Sequence, residues 1–181
     1  SFYYEETKDG YLRASSPSFT FDSSLRFESN LVDFQIKKYK DINKDIEVSG
    51  NIFFNLPRQN FTSKLQVNIH NEVLFDMFLH ANKKKLYYKV NALRDIETIT
   101  YAMELLELHP DLKYWAYEAI KFSSLSIHNA YGWIEYSNAN EAYKNLYISA
   151  TGQDLQYAYN KKLDSINTKK TELEFKNGTL Y

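Results

Sequence analysis

The chain has no cysteine, only three prolines and only five glycines among its 181 residues. Without thiols it can build neither a disulfide framework nor a thiolate metal site, and no redox compartment is excluded. No apolar run approaches the ~18 residues of a membrane-spanning helix, and no signal peptide opens the chain. Charge of one sign is lacking too. The 22 basic and 23 acidic side chains leave a net charge of −1, so no strong field points to nucleic acid or an anionic surface. Sequence signatures of catalysis are also missing: no G-x-S-x-G, no phosphate-binding glycine loop and no calcium loop.

Aromatic residues are abundant instead. There are 16 tyrosines and 12 phenylalanines, and these residues favour pleated, half-buried surfaces. Period-two alternation follows. In IEVSGNIFFNL, residues Ile46, Val48, Gly50, Ile52, Phe54 and Leu56 share one face, with Phe53 an apolar intruder on the other. After the turn-like PRQN come Phe61, Leu65, Val67 and Ile69, then Val73, Phe75, Met77, Leu79 and Ala81. Beyond NKKK, Leu86, Tyr88, Val90 and Ala92 repeat the pattern. Four alternating runs joined by short turns predict an antiparallel meander. Upstream, LRFESNLVDFQIKKYK reads as extended with a phase slip, for which a β-bulge near Ser29-Asn30 is expected. FYYEE, YLRAS and FTFD are shorter strand candidates.

From Asp95 the period changes. Ile96, Ile99, Met103 and Leu106 recur at helical spacing behind Asp95 as N-cap. Pro110 opens a second helix with a stripe of Leu112, Trp115, Ala116, Ala119 and Ile120. Strands resume with Leu125, Ile127, Tyr131 and Trp133 in one phase, followed by the loop NANEAYK. Leu146, Ile148 and Ala150 then share a phase that Leu155, Tyr157 and Tyr159 reverse around Gly152-Gln153-Asp154. The expected architecture is a single β-rich domain over 1–181. It comprises a meander over 1–94, a helical hairpin over 95–121 and further strands over 122–181. The sheet is expected to be antiparallel and strongly curved, an open groove or partial barrel with helices at one end.

The closing LEFKNGTLY alternates into Asn177-Gly178, the strongest short hairpin signal, with three residues after it. With an opening Ser1, this reads as a piece of a longer protein whose C-terminal strand edge pairs onward with the rest of its own chain. An edge-to-edge dimer is expected otherwise.

The chemistry-bearing residues do not cluster. His70 and His80 lie on polar phases of adjacent predicted strands, within reach of one another across a hairpin, but without metal-ligand spacing they read as solvent-facing. His109 reads as a helix-start residue and His128 as a strand residue. Glu104 and Glu107 read as a solvated helix face. No catalytic residue, metal site or cofactor is expected, and the protein does not read as an enzyme. The remaining signal is the apolar face, with Val48, Ile52, Phe54, Leu65, Val67, Ile69, Phe75, Met77, Leu79, Tyr88 and Val90 as candidate wall of a groove for acyl chains. A sealed core is the alternative.

The second half carries a resemblance. A helix-rich stretch leading to AYGWIEY, and the later YAYNKKLDSINT followed by TELEFKNGTLY, resemble AsmA-like bacterial envelope proteins, relatives of TamB and YhdP. The resemblance spans about Leu93 to Tyr181. It implies a section of a periplasmic bridge-like lipid-transfer protein, with an inner-membrane anchor outside this chain. The partner it implies is a phospholipid or fatty-acyl ligand, and the role is lipid transport or outer-membrane homeostasis. The alternative is a structural or protein-interaction β-module of the envelope. Neither reading involves nucleic acid.

Overall fold

A computed structural model describes residues 3–5, 9–97, 119–158 and 164–181. Among the described residues thirteen strands form one antiparallel sheet. They are β1 (Tyr3–Glu5), β2 (Asp9–Ser15), β3 (Phe19–Glu28), β4 (Leu31–Asp41), β5 (Ile46–Asn55), β6 (Asn60–Ile69), β7 (Val73–Ala81) and β8 (Lys85–Ala92). After these come β9 (Ile120–Lys121), β10 (Ser124–Glu135), β11 (Tyr147–Tyr157), β12 (Ile166–Lys176) and β13 (Thr179–Leu180). Twelve follow one another in chain order, and the short β9 pairs beside β11 instead. The sheet is not closed: β1 and β13 stand at opposite ends of the path. The expected helical hairpin falls mainly on residues 98–118, outside the described residues. At its margins Ile96 pairs as an isolated bridge with Leu125, and Asp95 accepts hydrogen bonds from Ser124 Oγ at 3.2 Å and Ser126 Oγ at 2.7 Å. Among the described residues no helix is long and apolar enough to cross a membrane.

The meander forms where alternation predicts it, and its turns are built by local side chains. Asn55 Oδ1 accepts from the Arg58 amide at 3.0 Å, and Asn82 Oδ1 from the Lys84 and Lys85 amides at 2.9 and 3.0 Å. Asp41 Oδ1 does the same for Asn43 and Lys44, both at 3.0 Å. Such side-chain acceptors mimic a backbone turn and satisfy amides that the ladder leaves free. At Asn177-Gly178 both residues have positive φ, 53° and 74°, as the hairpin signal requires.

Four expectations change. The phase slip expected as a bulge at Ser29-Asn30 is a tight turn between β3 and β4, with Ser29 at φ 51°, and a separate bulge that the residues did not announce lies further on. The pairing of β4 with β5 shifts between Ile36 and Tyr39, so Lys37 and Lys38 face Ser49 alone. That extra residue brings Tyr39 back to the face of Ile36. FTFD and LRFE are therefore one strand, β3. Tyr131 and Trp133 do not share a face with Leu125 and Ile127, because a second register shift at His128 reverses the phase. Ala130, Gly132 and Ile134 face inward instead, opposite Val90, Tyr88 and Leu86. NANEAYK, read as a loop, lies within a 3-10 segment, Tyr136–Asn145, kinked at Asn138. The reversal before Leu155 is present, at Asp154 with φ 48°.

Gly50, opposite the β4 bulge, has φ 134°, and a Cβ there would lie 2.1 Å from the Lys64 carbonyl oxygen. That neighbour is backbone and cannot swing aside. Gly50→Ala is expected to lower stability by ~2 kcal/mol or more, through both strain and clash, as read in urea unfolding. A loss under ~0.5 kcal/mol would show that the bulge adapts.

Among the described residues, Ile166–Leu173 of β12 has no strand on its outer side, since β13 covers only Phe175 and Lys176, and Tyr181 bonds Glu174. Exposed edges recruit other strands. An antiparallel two-fold pairing centred on Thr171 sets Lys170 opposite Glu172 of the second copy. Concentration-dependent association in sedimentation is therefore expected, and Glu172→Lys, which turns that attraction into repulsion, is expected to weaken it. Equal monomeric behaviour of both proteins at millimolar concentration would exclude this pairing.

Candidate apolar binding face

Cross-strand register, more than strand content, builds the site. All eleven candidate residues lie on one face of the sheet. Val48, Val67 and Phe75 are consecutive partners, as are Leu65, Met77 and Val90. Ile52 is linked through Ser63 to Leu79 and Tyr88. Phe54 stands opposite Phe61, with ring centroids 5.6 Å apart, and Ile69 opposite Ile46 and Val73.

One row extends far beyond the meander. Leu12, Ser23, Ile36, Gly50, Leu65, Met77, Val90, Ala130, Ile148, Phe175 and Leu180 are successive partners from β2 to β13. The row carries no charged residue. Its one hydroxyl, Ser23 Oγ, is fully buried and donates to the Leu12 carbonyl at 3.2 Å, so its polarity is satisfied internally. At ~4.8 Å per strand, the row traces a contour of roughly 48 Å across the strands.

Burial along the strands is uneven. Toward the β6–β7 turn, Val67, Ile69, Val73 and Ile96 form a buried cluster against Ile46, Val48, Phe75, Met77, Leu125 and Ile127. Toward the β5–β6 turn the same face opens: Phe54 is 38% exposed and Phe27 62%. Here Phe54, Leu56, Phe61, Ala81 and Tyr136 line a hollow of about 210 Å³. Between these ends Tyr88 spans the face. Its phenol oxygen would lie 2.6 Å from a Cβ on Gly132, so only glycine leaves room for the ring. Burial raises the Tyr88 pKa above its ordinary value, because removal from water disfavours the phenolate.

Other polar sites remain dispersed. His80 stands opposite Thr62 and Tyr87, whereas His70 sits in the β6–β7 turn 3.9 Å from Asp45 Oδ2, so the two histidines do not meet. His128, at its bulge, shares a 2.7 Å hydrogen bond with Thr151 Oγ1. His109, Glu104 and Glu107 lie outside the described residues. Among the described residues no group of three His, Asp or Glu side chains is placed to hold a metal ion.

Compared with known proteins, the chain matches no protein family, no curated protein and no solved structure. The AsmA-like reading therefore rests on the residue stretches quoted for it alone.

The members of the face missed in the sequence are those beyond the meander: Leu12, Ile36, Ala130, Ile148, Phe175 and Leu180. Each lies in an alternating segment, but bulges at Lys37-Lys38 and His128 change the phase. The two ends of the face should respond differently to truncation. Leu65→Ala, at a site only 7% exposed, is expected to cost ~2–5 kcal/mol. Phe54→Ala should cost under ~1.5 kcal/mol, because much of its ring is already in water. Equal costs in denaturant unfolding would mean that the face is sealed along its whole length.

Proposed function

We propose that the apolar face binds the acyl chains of a phospholipid or fatty acid, and that the chain is a section of a lipid-carrying protein. One observation carries this reading: a row free of charged residues crosses eleven strands of an open sheet at right angles to their direction. A self-contained domain needs an apolar face deep enough to close a core. A track carried from strand to strand across a sheet that does not close fits an elongated apolar ligand better. About ten methylenes withdrawn from water, at ~0.8 kcal/mol each, reach the ~8 kcal/mol of micromolar affinity before ordering costs.

On this reading the sheet is curved into an open groove, and Val90, Met77, Leu79, Tyr88, Ile52 and Phe54 lie along its accessible wall. Leu65, Val67 and Ile69, on the same face, are the buried part of that wall. The resemblance to AsmA-like proteins adds a periplasmic setting, an inner-membrane anchor outside the chain and a role in lipid transport between membranes. No residue acts catalytically and no cofactor takes part.

A second reading has its own observation. The buried cluster of Val67, Ile69, Val73 and Ile96 is packed as a domain core, as in a structural or protein-interaction module.

Uptake of lipid by delipidated protein, followed by native mass spectrometry, separates the two. The lipid reading expects bound phospholipid, with occupancy reduced severalfold by Phe54→Ser at the open end. Protein that takes up neither phospholipid nor a fluorescent fatty acid would leave the module as the better account.

A further inference from the structure

The acyl-chain reading uses one face of the sheet, and the opposite face carries a second row. Lys64, Phe78, Lys89, Tyr131, Tyr147 and Lys176 are successive cross-strand partners from β6 to β12. Basic and aromatic side chains share this row with no carboxylate. Lys64 Nζ lies 5.6 Å from the centre of the Phe78 ring. The Tyr131 and Tyr147 ring centres are 5.0 Å apart, and Tyr131 is 44% exposed. On one side the neighbouring row continues the aromatic surface, with Tyr87 paired to Trp133. On the other side stand Asp76 and Glu174, two residues along the strand from Phe78 and Lys176. Favourable chemistry for an anion is thus confined to a line.

We propose that this row binds a linear acidic polysaccharide carrying one carboxylate per disaccharide. Lys64 and Lys89 are two strands apart, ~9.6 Å, close to the length of a disaccharide unit. The intervening Phe78 ring and the Tyr131–Tyr147 pair offer flat apolar surfaces to the C–H faces of sugar rings. Lys64 and Lys89 meet successive carboxylates at this spacing, and Lys176, three strands beyond Lys89, adds a further positive charge at the end of the row. A bilayer surface would press its anionic headgroups onto Asp76 and Glu174 as well, and it would not select a line. A phosphodiester chain carries a charge at every nucleotide and gains affinity by neutralising many of them. Lysines on every second or third strand are too sparse for it.

The test is calorimetric titration at low salt with a hyaluronan octasaccharide, beside the neutral chitin-type octasaccharide, oligothymidylate and vesicles of anionic phospholipid. The hyaluronan fragment is expected to bind at least tenfold more tightly than the neutral sugar. Lys89→Gln and Tyr131→Ala, both exposed substitutions, are each expected to weaken it about tenfold with circular dichroism unchanged. Phe54→Ser, on the other face, is expected to leave it unaltered, so this proposal and the acyl-chain reading fail independently. No binding of the hyaluronan fragment, equal binding of the neutral sugar, equal or tighter binding of oligothymidylate or vesicles, or full affinity in both row variants would overturn the assignment.

Discussion

The sheet depends on cross-strand register. In a β-strand the side-chain period is two, so a slip of one residue between any pair of neighbours would send a strand's apolar set to the opposite face. The meander alone could hold its phase by alternation. The full row from Leu12 to Leu180 cannot, because β4 and β10 both change phase part-way along. Each change is absorbed by a bulge, at Lys37-Lys38 and at His128. Gly50 beside the first bulge accepts a backbone conformation and a close approach that a side chain would block. The bulges are therefore what make one face continuous.

Much of this was legible in the residues. Alternation from Ile46 to Ala92, the Asn-Gly hairpin near the C-terminus and the reversal around Asp154 all have local causes, and each lies where those causes put it. Val32, Phe34 and Ile36 share a face as their alternation predicts, and the slip after Phe27 lies at Ser29-Asn30. A two-residue turn causes it, however, and hydropathy alone does not tell a turn from a bulge. Simple alternation puts Tyr131 and Trp133 with Leu125 and Ile127, and the bulge at His128 undoes that phase. Large aromatics suggest an inner face, yet here they stand outside, and the inner positions are filled by Ala130 and Gly132. Gly132 is small because Tyr88 lies across it. The lining of the apolar face was thus readable strand by strand within the meander. Its extension over the other strands depends on which residues stand opposite each other, which no single segment encodes.

The same face has two characters. Where the β6–β7 turn meets Ile96 and Leu125 it is packed, and its residues are buried as in any core. Toward the β5–β6 turn, Phe54, Phe27 and Leu56 remain in contact with water. A stable closed domain would gain by covering those rings, since each buried aromatic contributes on the order of 2 kcal/mol. Apolar surface left open beside a packed and register-locked base is what a binding face for a greasy ligand needs: rigid support below, unsatisfied apolar area above. The two readings of the face differ only in whether that upper part is occupied by lipid or by protein.

Paramagnetic broadening by a doxyl-labelled phospholipid tests the central claim most directly. If acyl chains lie along the row, the Met77, Val90 and Ile148 side-chain signals, on three different strands, should broaden together. Leu74, on the opposite face of β7, should stay sharp. Broadening confined to residues around the Phe54–Phe61 hollow, or equal broadening on both faces, would contradict a continuous track.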